Sequence, residues 1–335
     1  MDGTIAEMMT DCYQQLAAAL ERGAAVLATV MAVRGSVPRE VGAKMVIDAA
    51  GQTFNTIGGG AGEAKVIRQA LEVLQTGAKQ FVEIDLTGSP QRQTEGVCGG
   101  KMQVWLERWQ GAAAQRLVQQ ILQRLGSGQI VTLITPFASD RQPHLLPPNS
   151  LPLPAGLTEQ GFTEQIQPPP SLLIIGAGHV GEQLAKVADL IGFQVIIQDD
   201  RPEWANPQRY PQATQILAEP IPKAIDRLAH YSQLYAALVT RGYQHDLAAL
   251  QSLLQRIPPC QYLGMIGSEK RVRQVYQAIE QTGVAPEILR SIYAPIGLDI
   301  GALTPAEIAV SISAELILVR RGGTGQSLSG KLRQT

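Results

Sequence analysis

The residues of this chain that could do chemistry gather in a few glycine-rich stretches. The most regular is Gly176-Ala177-Gly178-His179-Val180-Gly181, which follows the apolar run 172–175 and precedes a helical pattern. Each glycine has a separate task in such a turn. Gly176 permits the tight bend, Gly178 lets backbone approach a phosphate, and Gly181 lets the following helix pack close to a sheet. The free N–H groups and positive dipole end of that helix favour an anion. A second apolar run ends on Asp199 and Asp200. Asp199 follows Gly176 by 199 − 176 = 23 residues, close to the spacing at which an acid takes a ribose hydroxyl.

Three further stretches lie in the first hundred residues. Arg34-Gly-Ser-Val-Pro-Arg39-Glu-Val-Gly-Ala-Lys44 makes a loop with cationic ends and free backbone donors. On composition alone a solvated turn explains it, since exposed charge is mostly solvation. Gly58-Gly59-Gly60 stands between a strand pattern and a helical one. Three successive glycines cost folding entropy, and a strand end, a glycine run and a helix start together form a nest of N–H donors for an anion. The alternative is a tight strand-to-helix corner. No Lys-Ser or Lys-Thr follows, so this is not a P-loop. Cys98 lies in Gly96-Val-Cys98-Gly99-Gly100 and is reachable by a ligand. Nearby N–H groups would favour its thiolate, and local chemistry leaves its role open.

These residues need elements to position them. Periodicity predicts a helix from Ile5 to Leu20 that stops at Gly23, with Cys12 on its apolar stripe as a buried thiol. Strands are expected at 26–33, at 45–48 and 53–57 as a hairpin, and at 81–86, 101–109 and 130–135, with helices at 61–75 and 112–125. That is an α+β domain over 1–140. Eight of the 21 prolines (143, 147, 148, 152, 154, 168, 169, 170) crowd residues 141–170, which read as a Pro-rich linker.

From 171 to 322 strands and helices alternate. The fold class is therefore α/β: an N-terminal α+β domain joined by the linker to a C-terminal Rossmann-like domain with a doubly wound parallel sheet. Residues 323–335 read as a loose tail. In such sheets ligands sit beyond the strand C-termini. His179, Asp199, His245, Asp246, Ser268, Lys270 and Arg271 all fall at such ends. Thr304-Pro305-Ala-Glu307 has the pattern of a capping box before a final apolar helix over 306–320.

Composition narrows the partners. With 28 basic and 29 acidic residues among 335, no bulk charge argues for nucleic acid or a membrane surface. Cys12, Cys98 and Cys260 form no CxxC pair, which argues against a structural zinc site or a disulfide framework. No apolar run approaches a membrane span, and the acidic N-terminus lacks a signal-peptide core, so a cytoplasmic protein is expected.

The stretches ATVMAVRGSVPREVGAKMVID, TIGGG, GVCGG, LLIIGAGHVGEQLA, DDRPEWA, YLGMIGSEKR and PIGLDIGALTPAEIAVSISAEL together resemble the XdhC/CoxI family, accessory proteins of molybdenum hydroxylase maturation. The resemblance runs in family order over nearly all of 26–320. It implies a chaperone that holds the molybdenum cofactor, as molybdopterin or its dinucleotide form, while a cysteine desulfurase supplies sulfur. The cofactor then passes to a client such as xanthine dehydrogenase.

The implied cofactor-binding residues are Arg34, Arg39, Lys44, Gly58, Gly59, Gly60, Cys98, Gly176, Gly178, His179, Gly181, Asp199 and Ser268. Cys98 is the candidate molybdenum or sulfur contact, since a thiolate suits that soft centre. No residue is implied as catalytic. Relatives commonly carry a cysteine directly after the triple glycine, where this chain has Ala61. The competing reading is an NAD(P)-dependent oxidoreductase using the Rossmann domain, although no catalytic set such as Tyr-x-x-x-Lys stands out. A third is a scaffold that docks dehydrogenase and sulfurase without holding cofactor. The apolar C-terminal helix offers a surface for a homodimer.

Overall fold

The computed structural model describes residues 5–86, 99–147 and 153–329. It divides into two compact units, Met1–Pro168 and Pro169–Thr335.

In the first unit, α1 (Ile5–Arg22) leads into β1 (Ala25–Arg34) and the hairpin of β2 (Lys44–Asp48) and β3 (Thr53–Phe54). Asp48 shapes the hairpin turn by accepting from the N–H groups of Ala50 and Gln52, each at 2.9 Å. α2 (Gly60–Thr76), β4 (Gln80–Asp85), β5 (Lys101–Trp109) and α3 (Gly111–Gly126) follow. The antiparallel sheet has the order β3-β2-β1-β5-β4. β1 is apolar on both faces because both are covered. Val26, Ala28 and Val30 pack with α2, while Ala25 and Leu27 pack with α1 and α3. Cys12 is 1% exposed in the α1 core, and burial pushes its thiol up to about 12, so it is inert packing.

The proline-rich segment is not a linker throughout. β6 (Val131–Pro136) is joined by β7 (His144–Leu145), β8 (Gly156–Leu157) and β9 (Gly161–Ile166) in a second antiparallel sheet ordered β7-β6-β9-β8. Phe162 and Ile166 of β9 are core residues. Prolines flank these strands, where no ladder N–H is required.

Lys44 opens β2 and is buried. Its Nζ meets Glu164 of β9 at 2.8 and 2.9 Å and Thr29 at 3.4 Å. This pair ties the two sheets of the unit together.

The second unit is the expected doubly wound domain. β10 (Ser171–Ile175), α4 (His179–Leu190) and β11 (Gln194–Gln198) form a βαβ unit with parallel register from Ser171↔Gln194 to Ile175↔Gln198. β12 (Gln215–Leu217), α5 (Ile221–Arg227), β13 (Leu234–Leu238), α6 (Tyr243–Leu254), β14 (Tyr262–Met265), α7 (Glu269–Glu280) and α8 (Pro286–Arg290) follow, and α9 (Pro305–Arg321) closes the chain's regular structure. The sheet order β12-β11-β10-β13-β14 reverses direction between β10 and β13. α4 and α9 cover one face, and α5, α6 and α7 the other. The capping box of α9 forms as its sequence predicts, and Gly322 ends the helix in the left-handed region.

Candidate functional site

In the first unit, three of the expected stretches meet at one end of the sheet. β1 ends and β5 begins side by side, with Arg34 opposite Lys101. The contact between loops is backbone-close. A Cβ on Gly100 would lie 2.3 Å from the Ser36 carbonyl oxygen, and one on Gly58 would lie 2.4 Å from Cγ of Pro38. Glycine is required at both positions because loop 34–44 occupies the space a side chain needs. Gly58, Gly59 and Gly60 have φ of 137°, 75° and 69°, so successive N–H groups curve into a nest at the start of α2.

The nest already holds an anion, supplied by the helix it precedes. Glu63 Oε2 accepts from the Thr56 hydroxyl at 2.5 Å and from the N–H groups of Ile57 and Gly59, each at 3.1 Å. Sequence reasoning missed Glu63, although an acid in the first turn after a glycine run is the available signal.

Arg34, the last residue of β1, is exposed, and Arg39 is half-buried. Arg39 donates to the Pro38 carbonyl at 3.1 Å, and its buried Nε has no partner. Lys44, expected in this set, is spent on Glu164 instead. A buried ammonium held by a carboxylate is not free to meet a ligand's charge. Cys98 lies outside the described residues. Among the described residues no group of three or more His, Cys, Asp or Glu could hold a metal ion.

In the second unit the glycine turn has the shape its spacing predicts. Gly176 has φ of 110°, and a Cβ there would sit 2.6 Å from the Val239 carbonyl oxygen. A Cβ on Gly181 would meet the Gly176 carbonyl oxygen at 2.3 Å, while Gly178 faces open space. His179 is the first residue of α4, its ring edge-on to Trp204 at 6.1 Å. Trp204 lies between the guanidinium groups of Arg201 at 4.9 Å and Arg209 at 4.4 Å. Arg209 also pairs with Glu182 of α4 at 2.9 Å, clamping the loop after β11 onto that helix.

Asp199 departs from the ribose-binding expectation. It is 5% exposed and fully engaged. Oδ2 accepts from the Ala177 N–H at 2.9 Å and from Arg201 at 2.9 Å, and Oδ1 accepts from Arg201 Nε at 2.8 Å and Arg201 N at 3.2 Å. Four donors use the lone-pair directions of a carboxylate. Burial alone would raise its pKa, but the hydrogen bonds from Arg201 and Ala177 outweigh burial and hold it at about 2. Asp199 is a strap across the glycine turn, not a free acceptor.

Beside that strap a cavity of about 290 Å³ opens beyond the ends of β10, β11 and β13. Gly176 and residues 198–200 form one side, and Pro220, Ile221 and Pro222 a second. Thr240, Arg241, Gln244, His245 and Ala248 form the third. Arg241 bridges the mouth to Asp200 at 3.0 and 3.1 Å. Asp246, completely buried, fixes the loop behind it. It accepts from Thr240 at 2.6 Å and from Arg271 Nε at 2.6 Å. Burial raises its pKa despite these partners.

His245 thus lines the cavity, and Asp246 and Arg271 brace it. Ser268 does neither. Its hydroxyl caps α7 through the Arg271 N–H at 3.4 Å. Asp200, Arg241 and Gln244 are cavity residues the sequence reading left out; Asp200 and Arg241 lie in loops just after strand ends, and Gln244 in the first turn of α6.

Known proteins resemble this chain in sequence and in fold. Residues 172–316 match the model of the XdhC Rossmann domain, and residues 18–85 that of the XdhC and CoxI family. The chain is 28% identical over 319 residues to a Bacillus subtilis (strain 168) protein named as a probable xanthine dehydrogenase subunit, covering 89% of this chain and 93% of that one. It is 27% identical to the molybdenum cofactor insertion chaperone PaoD of Escherichia coli (strain K12), covering 88% and 83%. It is also 27% identical to "Uncharacterized protein YqeB" of the same organism, of which it spans 44%. A crystal structure described as a xanthine dehydrogenase from Bacillus halodurans superposes with a TM-score of 0.68 at 25% identity, covering 96% of this chain and 99% of that one. With one family domain matched in each of its two units, the chain belongs to the XdhC and CoxI family.

Proposed function

We propose that this protein is an accessory factor in the maturation of xanthine dehydrogenase or a related molybdenum hydroxylase. In this reading it holds the molybdenum cofactor during sulfuration by a cysteine desulfurase and promotes its insertion into the client. The observation that carries the reading is the cradle of the first unit. Loops 34–44 and 58–60 and the Gly99–Gly100 segment converge, and the Nε of Arg39 is buried without a partner. An orphaned buried donor is costly unless a ligand satisfies it. The likeness to a named molybdenum cofactor insertion chaperone supports the same assignment.

The residues present fit the anionic end of such a ligand. When bound, the cofactor supplies a phosphate anion and a soft metal centre with sulfur ligands. Arg34 and Arg39 would face the phosphate, with the open sides of Gly59 and Gly60 admitting close approach. Ligand phosphate would compete with Glu63 for the nest. Cys98, two residues before the close-packed Gly100, is the thiol proposed to meet the metal or its sulfur.

Protein purified from a molybdenum-replete host is expected to carry molybdenum and a pterin, read by elemental analysis and by fluorescence of the oxidised pterin. Replacing both Arg34 and Arg39 by Ala should reduce retention, as should Cys98→Ser. Protein with no pterin, and no uptake when offered released cofactor, would sink the reading. The NAD(P)-dependent oxidoreductase reading is disfavoured by the engagement of Asp199 with four donors. Micromolar NADH binding accompanied by hydride transfer to a substrate would restore it.

A further inference from the structure

We propose that α9 pairs with a second copy of itself: two chains join through the outer side of this helix, antiparallel, about a two-fold axis at Ala314. The argument starts from composition. Between Glu307 and Arg320 the sequence holds a single charge, Glu315. That charge is turned inward, where its carboxylate accepts from the Tyr262 hydroxyl at 2.5 Å and the Gly297 N–H at 2.9 Å. Ile312 and Leu316 are fully buried on the same core side. The solvent side is therefore apolar as well, and a helix apolar all round belongs in an interior. In the single chain that side is open. Val310 is 50% exposed, Ile317 38%, and Leu303, just before the helix, 86%.

The spacing says what covers it. Leu303, Val310 and Ile317 stand seven residues apart, and so do Glu307, Ala314 and Arg321 beside them. Columns at that spacing are the pattern by which helices pair lengthwise. The second column is self-complementary. Its two ends are exposed and carry opposite charges, and its middle is a small residue. Glu307 and Arg321 each lie seven residues from Ala314. Rotation about an axis at Ala314 therefore sets Glu307 of each copy on Arg321 of the other. Alanine at the crossing lets the backbones approach. Val310 lies four residues from Ala314 and Ile317 three, so each Val310 packs beside the other copy's Ile317. A parallel pair would instead set Glu307 on Glu307 and Arg321 on Arg321. The fold adds what the sequence could not: which side is used, in which direction, and where the axis falls.

Size sets the strength. α9 has 17 residues, so the strip is about 25 Å long and one helix, about 10 Å, wide. That is less than a standard interface between proteins. The dimer should exchange, with a dissociation constant of about 10 μM.

This inference goes beyond the carrier reading and stands without it. Sedimentation velocity of the full chain from about 1 to about 200 μM is the test, and the sedimentation coefficient should rise from that of a monomer to that of a dimer. Val310→Glu places a charge at the contact from an exposed position. It should raise the dissociation constant by about tenfold or more while the melting temperature shows that it folds.

Direction has its own readout. Ala314→Cys should form a disulfide-linked dimer in oxidised glutathione, because the two copies of this position face each other. Ala306→Cys should not, because its copies lie eight residues on either side of the axis, about 24 Å apart and beyond disulfide reach. The unsubstituted chain is the control for its native cysteines. A chain that stays monomeric to about 200 μM would overturn the proposal and leave the face to a different protein. A dimer indifferent to Val310→Glu, or equal linking at Ala306→Cys and Ala314→Cys, would overturn it too. None of these readouts involves pterin or molybdenum, so their failure leaves the carrier reading intact, and protein without pterin that still dimerises does the reverse.

Discussion

Two glycine turns in this chain precede helices, and each carries a carboxylate from the protein itself. At Gly58–Gly60 the acid is Glu63, one turn into the same helix. At Gly176–Gly181 it is Asp199, one strand later. The first arrangement is local, so opening it disturbs one helix end. The second is tertiary, because Asp199 joins the turn, β11 and Arg201, and opening it disturbs the βαβ unit. In the proposed function the first turn is the exchangeable anion site. The second is a fixed frame, held across the βαβ unit by Asp199.

Lys44 takes no part in the first turn in this contrast, and its substitution is the largest expected effect. Lys44→Met should cost about 3–5 kcal/mol in denaturant unfolding by stranding Glu164. The double variant with Glu164→Leu should recover most of that. A silent Lys44→Met would return the lysine to the cradle. Next, Gly181→Ala should cost about 3 kcal/mol, because its Cβ meets a carbonyl oxygen at 2.3 Å. Gly59→Ala should cost only about 1 kcal/mol, since its Cβ faces open space and only the positive φ is strained. Equal costs would erase the contrast between frame and exchangeable turn.

Acid unfolding probes the strap. Asp199 is depressed in the folded protein to about 2 from an ordinary value near 4. A depressed carboxylate contributes its stability above the unfolded value and loses it as pH falls through the folded one. About 2 kcal/mol should therefore disappear between about pH 4 and pH 2, and Asp199→Asn should lack that part of the acid transition. The smallest effect concerns Glu63. Glu63→Ala should cost about 1 kcal/mol yet gain more in melting temperature from added sulfate than wild type does. An identical sulfate response would show that the nest is not exchangeable.

Much of the fold was legible in the sequence. Apolar periodicity placed most strands and helices, because burial on one face or two leaves a direct trace. The segment 153–166 misled for a physical reason. Prolines crowd both sides of it although it holds only Pro154, and β9 needs only six residues and a partner strand to form. The site was less legible. Glycine positions could be read because steric exclusion by nearby backbone leaves no other residue. Side-chain partners could not, since Lys44 and Glu164 are 120 residues apart.

By itself the sequence determined the βαβ turn and the doubly wound sheet, which rest on spacing along the chain, and the family, which rests on the resemblance of its motifs. Only the tertiary structure decided which charges are free. It spent Lys44 on Glu164 and Asp199 on Ala177 and Arg201, left Arg39 Nε unpaired, and set Asp200 at the mouth of a cavity. A charged group's availability depends on what packs against it in space, and charges distant in sequence can neutralise one another only after folding.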